Sequence, residues 1–192
     1  MTDFPLHDPA TAPEAARPWL DRAAKVFGFA PNVLKVMAEA PALLEGYMTL
    51  SGIFDKTSFS PAERQLILLA AARTERCHYC VAAHSWAAEM AGLPKAVVEA
   101  VREGREIADD PRLESLRRFV THLVSRQGFA DAEEIEAFLA GGFTRAQALE
   151  IVLGVALKVM STWTNHLART PLDEPLSAYA WQPSAGDDLA AE

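Results

Sequence analysis

Residues 60–84 read SPAERQLILLAAARTERCHYCVAAH. Ser60, Pro61 and Glu63 announce a helix start. Serine caps the first turn, proline fits its first position, and a glutamate three residues after the cap reaches back to the capping backbone N–H. The run that follows is rich in Leu, Ile and Ala and poor in β-branched residues, which predicts a helix to about residue 73. Thr74 is then placed to cap a second helix over 75–91, stopped by Gly92 with Pro94 beyond it. Both cysteines of the chain, Cys77 and Cys80, fall at the start of that helix, and His84 lies one turn past Cys80.

Outward from this stretch the same helical spacing recurs. Helices are expected over 14–27, from near Pro31 and Pro41, over 94–103, 111–125 and 131–139, and over 144–168, the last opened by a second capping box in TRAQ. Nothing reads as a strand series. The expected fold is all-α, roughly eight helices forming one multi-helix bundle over 1–180, with a core motif region at 60–93 and a disordered tail at 181–192. The final helix, QALEIVLGVALKVMSTWTNHL, is apolar on nearly every side, so it belongs in a core or a subunit interface, and a homo-oligomer is expected. Gln65 to His84 and Gln147 to His166 have equal spacing, each from a capped helix start to a histidine. This admits a duplicated helical unit whose second copy lacks the thiols, and equally two unrelated helices.

Composition narrows the function. The chain has 192 residues, 50% hydrophobic and 23% charged, with a net charge of −8 and no Lys/Arg cluster, which argues against a nucleic-acid partner. The start, MTDFPLHDPATAPEAARPW, has neither the basic nor the apolar region of a secretory signal, and the apolar run from Leu66 to Ala72 is far below the ~18 residues of a membrane span. No membrane partner and a cytoplasmic location are expected. There thiols stay reduced, and a close cysteine pair is catalytic or metal-binding rather than a structural staple.

On one helix Cys77, Cys80 and His84 share about a 60° arc. In the first turn Cys77 would have its thiolate favoured by unpaired N–H groups, and His84 could exchange a proton with Cys80. Such a pair closes to a disulfide with little movement, which suits two-step thiol redox chemistry: one thiolate attacks, and the second cysteine resolves the product. Zinc could use Cys77, Cys80 and His84, but His78, His122 and His166 supply no recognisable second ligand pair. Haem attachment is excluded by Val81, and a thioredoxin-like context by the preceding helix. Two incidental core cysteines are the bland alternative.

ERQLILLAAARTERCHYCVAAH followed by AAEMAGLP resembles the core of the alkylhydroperoxidase D-like, peroxidase-related branch of the carboxymuconolactone decarboxylase family. FGFAPNVLKVMAEAPALLEGYMTL and ALKVMSTWTNHLARTPLDEP resemble its flanks, so that about 27–176 is covered. The resemblance implies an all-helical fold assembled as trimers or hexamers. It implies a cofactor-free peroxidase that reduces hydroperoxides at the expense of a dithiol or protein reductant. It makes Cys80 the peroxidatic cysteine, Cys77 the resolving thiol and proton donor, and His84 part of the proton relay. Cys80 is preferred over Cys77 as nucleophile because His84 is within reach of it. The decarboxylase branch lacks the cysteine pair, so lactone decarboxylation fits poorly. One position departs from the pattern: Gln65 stands where the family's relay glutamate is, and an amide cannot shuttle a proton. Glu63 is committed to the capping box and Glu75 is expected to face solvent, which leaves Glu150 and His166 as substitutes. His78 is expected at the surface and Tyr79 in the core. Trp163 and Asn165 could line a pocket. A redox-sensing oligomer without efficient turnover, or a zinc-binding helical module, would use the same residues.

Overall fold

The computed structural model describes residues 4–183. Among these residues nine α-helices follow in order: α1 Arg17–Phe27, α2 Asn32–Met37, α3 Pro41–Phe54, α4 Pro61–Thr74, α5 His78–Met90, α6 Lys95–Arg102, α7 Pro111–Ser125, α8 Ala132–Ala140 and α9 Arg145–Ala168. Short 3-10 turns, Glu14–Ala16 and Glu174–Tyr179, precede α1 and follow α9, and no strand occurs among the described residues. Both expected capping boxes are present. The Glu63 N–H donates to Ser60 Oγ at 3.2 Å and the Ser60 N–H to Glu63 Oε2 at 2.9 Å; Thr144 and Gln147 do the same for α9.

The helix at the centre is α4. Its residues from Leu66 to Ala72 are all buried, against α5, α6, α7 and α9, as an all-round apolar helix must be. The final helix, expected in a core or a subunit interface, is two-faced, its inner side holding Ile151 and Leu157 as well as polar groups. By length and composition α9 could cross a membrane, but its buried face carries Lys158, Ser161, Thr162 and Asn165, while Leu149 (73% exposed), Val152, Trp163 and Leu167 face outward. Positions 158, 161, 162 and 165 form one stripe at helical spacing, turned toward α5.

α9 passes close to α3 and α4 at Gly154. A Cβ there would meet Ile67 Cγ2 at 2.9 Å and Phe54 Cζ at 3.0 Å. Gly154→Ala is therefore expected to destabilise the fold by about 1–2 kcal/mol, overpacking of ~1–3 kcal/mol outweighing a helix-propensity gain of up to ~1. Urea unfolding of the two proteins measures it.

Three expectations change here. First, α5 does not begin at Glu75 under a Thr74 cap. Thr74 Oγ1 donates back to Ala70 O, Arg76 takes a left-handed φ of 59°, and Cys77 itself is the N-cap, its sulfur accepting the Cys80 N–H at 3.3 Å. No glycine marks that break, which is why the two helices read as abutting. Second, the two matched spacings lie on different structures. Gln65 to His84 crosses the α4–α5 turn, whereas Gln147 to His166 lies within the single helix α9, so the duplicated unit has no counterpart. Third, the ordered chain passes residue 180. Trp181 Nε1 donates to Arg102 O at 3.0 Å and its ring lies under the Arg73 guanidinium; residues 184–192, the rest of the expected tail, lie outside the described residues.

Candidate active site

The α4–α5 turn presents two buried thiols, Cys77 and Cys80. Cys77 Sγ–H donates to Cys80 Sγ at 2.7 Å. Around Cys80 the inward stripe of α9 supplies Asn165 Nδ2, donating to Cys80 Sγ at 3.3 Å and Cys77 Sγ at 3.8 Å, Thr162 Oγ1 at 3.6 Å and Ser161 Oγ at 3.9 Å. Lys158, 1% exposed, donates from Nζ to Ser161 Oγ at 2.9 Å and to His84 Nε2 at 2.8 Å. The other ring nitrogen, His84 Nδ1, pairs with Gln65 Oε1 at 3.0 Å. An amide oxygen only accepts, so Nδ1 carries the proton and Nε2 is free to accept from the ammonium. The imidazole is therefore neutral, and Gln65 fixes its tautomer.

The charges follow from this arrangement. Burial alone would raise the Cys80 thiol, but the Cys77 hydrogen bond, the Lys158 charge, and Thr162 and Asn165 outweigh it and hold Cys80 well below the ordinary thiol range. Cys77 moves up, because it donates to Cys80, is buried, and faces the charge on its neighbour. Burial and then Lys158 push His84 well below its usual value. Lys158 is raised: burial works against its charge, but Cys80, Tyr47 and Cys77 outweigh burial. The Tyr47 phenol, facing Ser161, is raised chiefly by burial. Cys80 is thus a thiolate paired with a buried ammonium, and Cys77 remains a thiol. The argument that Cys77 is the more acidic sulfur is corrected: with Cys77 as N-cap, Cys80 is the residue in the first turn, its own N–H turned to Cys77.

The remaining sequence candidates separate cleanly. Gln65 and His84 are in the site, but neither His84 nitrogen points at sulfur, so Lys158 stands where direct exchange with Cys80 was expected. Glu150 is not in the site. Its carboxylate accepts from Ser58 N at 3.1 Å and Ser58 Oγ at 2.6 Å, tying down the loop before α4. His166 is exposed on the outer face of α9. Asn165 reaches both sulfurs, while Trp163, on the opposite face of α9, is 68% exposed. Glu75, expected in solvent, is half-buried, its carboxylate facing Thr162. Tyr79 is buried and donates its hydroxyl to Asp173. Among the described residues no group of three or more His, Cys, Asp or Glu could hold a metal ion; lysine, amide and hydroxyls surround the thiols in place of a second ligand pair. Lys158 is the residue sequence reasoning missed. Its signal was present: four polar residues at 158, 161, 162 and 165, spaced as one stripe on an otherwise apolar helix.

Cys80, His84, Lys158 and Gln65 line a cavity of about 340 Å3, within the range of small-molecule sites. The rest of its wall is largely apolar and aromatic, including Phe27, Phe29, Phe54, Leu68, Tyr79 and Trp86.

Residues 41–122 match the model of the carboxymuconolactone decarboxylase family. The fold of the chain is that of alkylhydroperoxidase D-like proteins. A peroxidase-related protein with an AhpD core from Ralstonia eutropha JMP134 superposes with a TM-score of 0.80 at 20% identity, over 90% of this chain and 93% of that one. Another from Silicibacter sp. TM1040 gives 0.77 at 18%, over 91% and 92%. A cysteine-to-alanine variant of the debrominase Bmp8, in complex with 2,3,4-tribromopyrrole, gives 0.78 at 15%, over 93% and 95%. A comparison with curated proteins gives no significant sequence match.

Proposed function

We propose that the protein is a thiol-dependent peroxidase that reduces hydroperoxides without a cofactor. The observation that carries this reading is the Cys80 thiolate, held by Lys158 and Asn165 at the end of an apolar cavity with the Cys77 sulfur 2.7 Å away. Cys80 attacks the distal peroxide oxygen and becomes a sulfenic acid, and the alkoxide leaves beside the Lys158 ammonium, which stabilises the developing charge. Cys77 then attacks Cys80, water leaves, and a disulfide forms. An external dithiol or protein reductant regenerates the pair. The test is steady-state consumption of cumene hydroperoxide with dithiothreitol as donor. Sustained turnover supports the peroxidase. One disulfide per chain followed by arrest replaces it with a redox sensor.

A second reading, thiol-driven reductive dehalogenation of an apolar ring, is favoured by the aromatic cavity wall and by the fold shared with a debrominase. Bromide release from 2,3,4-tribromopyrrole under the same donor discriminates the two.

The working form in this reading is a homo-oligomer, a trimer or hexamer built from copies of this chain. Its support is the outward apolar face of α9, where Leu149, Val152, Trp163 and Leu167 lie exposed along one helix. Light scattering is expected to give a multiple of the chain mass, and Trp163→Glu with Leu167→Glu to reduce it to one chain.

A further inference from the structure

Outside the residues that line the cavity, the Thr162 hydroxyl lies 3.6 Å from Cys80 Sγ and faces the Glu75 carboxylate. Glu75 Oε2 is buried and has no hydrogen-bond partner. An ionised carboxylate with an unpartnered buried oxygen is costly, and the neutral acid avoids that cost. The charged or titratable groups facing these two acids are Lys158 from α9, Tyr47 from α3, Cys77 from the turn and Tyr79 from α5. Tyr47, Tyr79 and Cys77 keep their protons. One buried cation therefore faces two acids, and it can balance one anion.

We propose that Cys80 and Glu75 hold a single proton between them across Thr162, so that Glu75 is a carboxylic acid while Cys80 is a thiolate and ionises when Cys80 is oxidised. In the reduced protein Lys158 is the counter-ion of the sulfur. Oxidation removes the charge from sulfur, and the carboxylate takes its place. Resting on the peroxidase reading, the cycle balances. Cys80 thiolate, ROOH and the Glu75 acid give the Cys80 sulfenic acid, ROH and the Glu75 carboxylate, the proton passing through Thr162 to the reacting centre. Cys77 thiol and the sulfenic acid give the disulfide and water. Two donor thiols then return Cys77 thiol, Cys80 thiolate and the Glu75 acid, releasing the donor disulfide. Glu75 acts through Thr162 and is a positioning residue.

The test is an infrared difference spectrum of the full chain, reduced minus oxidised, with diamide as oxidant so that no peroxidase activity is needed. The expected result is a protonated-carboxyl C=O band that is present in the reduced protein, lost on oxidation, missing in Glu75→Gln and shifted in Glu75→Asp. Glu75→Gln preserves shape and mimics the neutral acid at Thr162. It is therefore expected to leave the thiolate absorbance titration of Cys80 in place, since Cys80 ionises beside an uncharged residue in both proteins. Absence of the band, its persistence in Glu75→Gln, or a downward shift of that titration by ~1 pH unit or more in Glu75→Gln, the mark of a resident carboxylate, overturns the proposal. Failure of the peroxidase reading shows separately, as lack of hydroperoxide turnover with the band intact.

Discussion

Cys80→Ser is expected to lower steady hydroperoxide consumption by ~10³-fold or more, the scale on which removal of an enzyme's nucleophile is felt. Cys77→Ser is expected to behave differently. Its Cys80 keeps Lys158 and the Asn165 amide, so it still attacks peroxide once, giving one sulfenic acid per chain that dimedone traps, and then stops because no second thiol expels water. A donor-coupled turnover assay together with dimedone mass labelling separates the two variants. If both turn over at the rate of the unaltered protein, the dithiol cycle is wrong. If Cys77→Ser alone retains turnover, the donor thiol attacks the sulfenic acid directly.

The other large effect is expected at Lys158. Lys158→Met removes the charge that lowers Cys80, and a shift of about 2 pH units upward follows for loss of one close opposite charge. The alkylation of Cys80 by iodoacetamide then falls, by up to about 100-fold at pH values below both titrations and by less at neutral pH. The sign fixes the profile. In the unaltered protein the Cys80 pKa is depressed, so its reactivity persists through neutral pH and is lost only as pH falls through that depressed value. In Lys158→Met the loss occurs at higher pH, and the two curves meet in alkali, where both sulfurs are ionised. Lys158→Arg keeps the charge and is expected to fall between. The variant also leaves His84 Nε2 without its donor, which costs stability of about 1–3 kcal/mol. Coincident alkylation profiles would remove Lys158 from the mechanism.

The parts of this molecule that are legible in its sequence are those set by neighbours along the chain. Ser60 with Glu63 and Thr144 with Gln147 each form the cap their spacing announces, and Cys77, Cys80 and His84 sit on one helix end because their separations demand it. What the sequence hides depends on contacts between distant segments. An ammonium in an apolar helix reads as a group reaching for water; here Lys158 turns inward because Cys80, His84 and Ser161 together accept what water would have given it. Glu75 looks like a surface acid, and it becomes half-buried because Arg76 reverses the chain in a left-handed turn that no glycine foretells. Glu150 and His166 were attractive as relay groups because they interrupt the same apolar helix, yet they lie off the inward stripe, Glu150 bound to the Ser58 loop and His166 on the outer face.

The reactive sulfur is assembled from two stretches far apart in the polypeptide, and this sets when in the life of the chain it can react. Asn165 lies 85 residues after Cys80 and Lys158 lies 74 after His84. At synthesis rates of ~5–20 residues per second, roughly 4–17 s separate the emergence of the motif from that of the helix that activates it. During that interval Cys77 and Cys80 are ordinary thiols, with neither the Lys158 ammonium nor the Asn165 amide beside them. A ribosome halted before α9 therefore releases a fragment whose cysteines titrate near ~8.5, the value of any free thiol, and the protein acquires its reactivity only as its last helix docks.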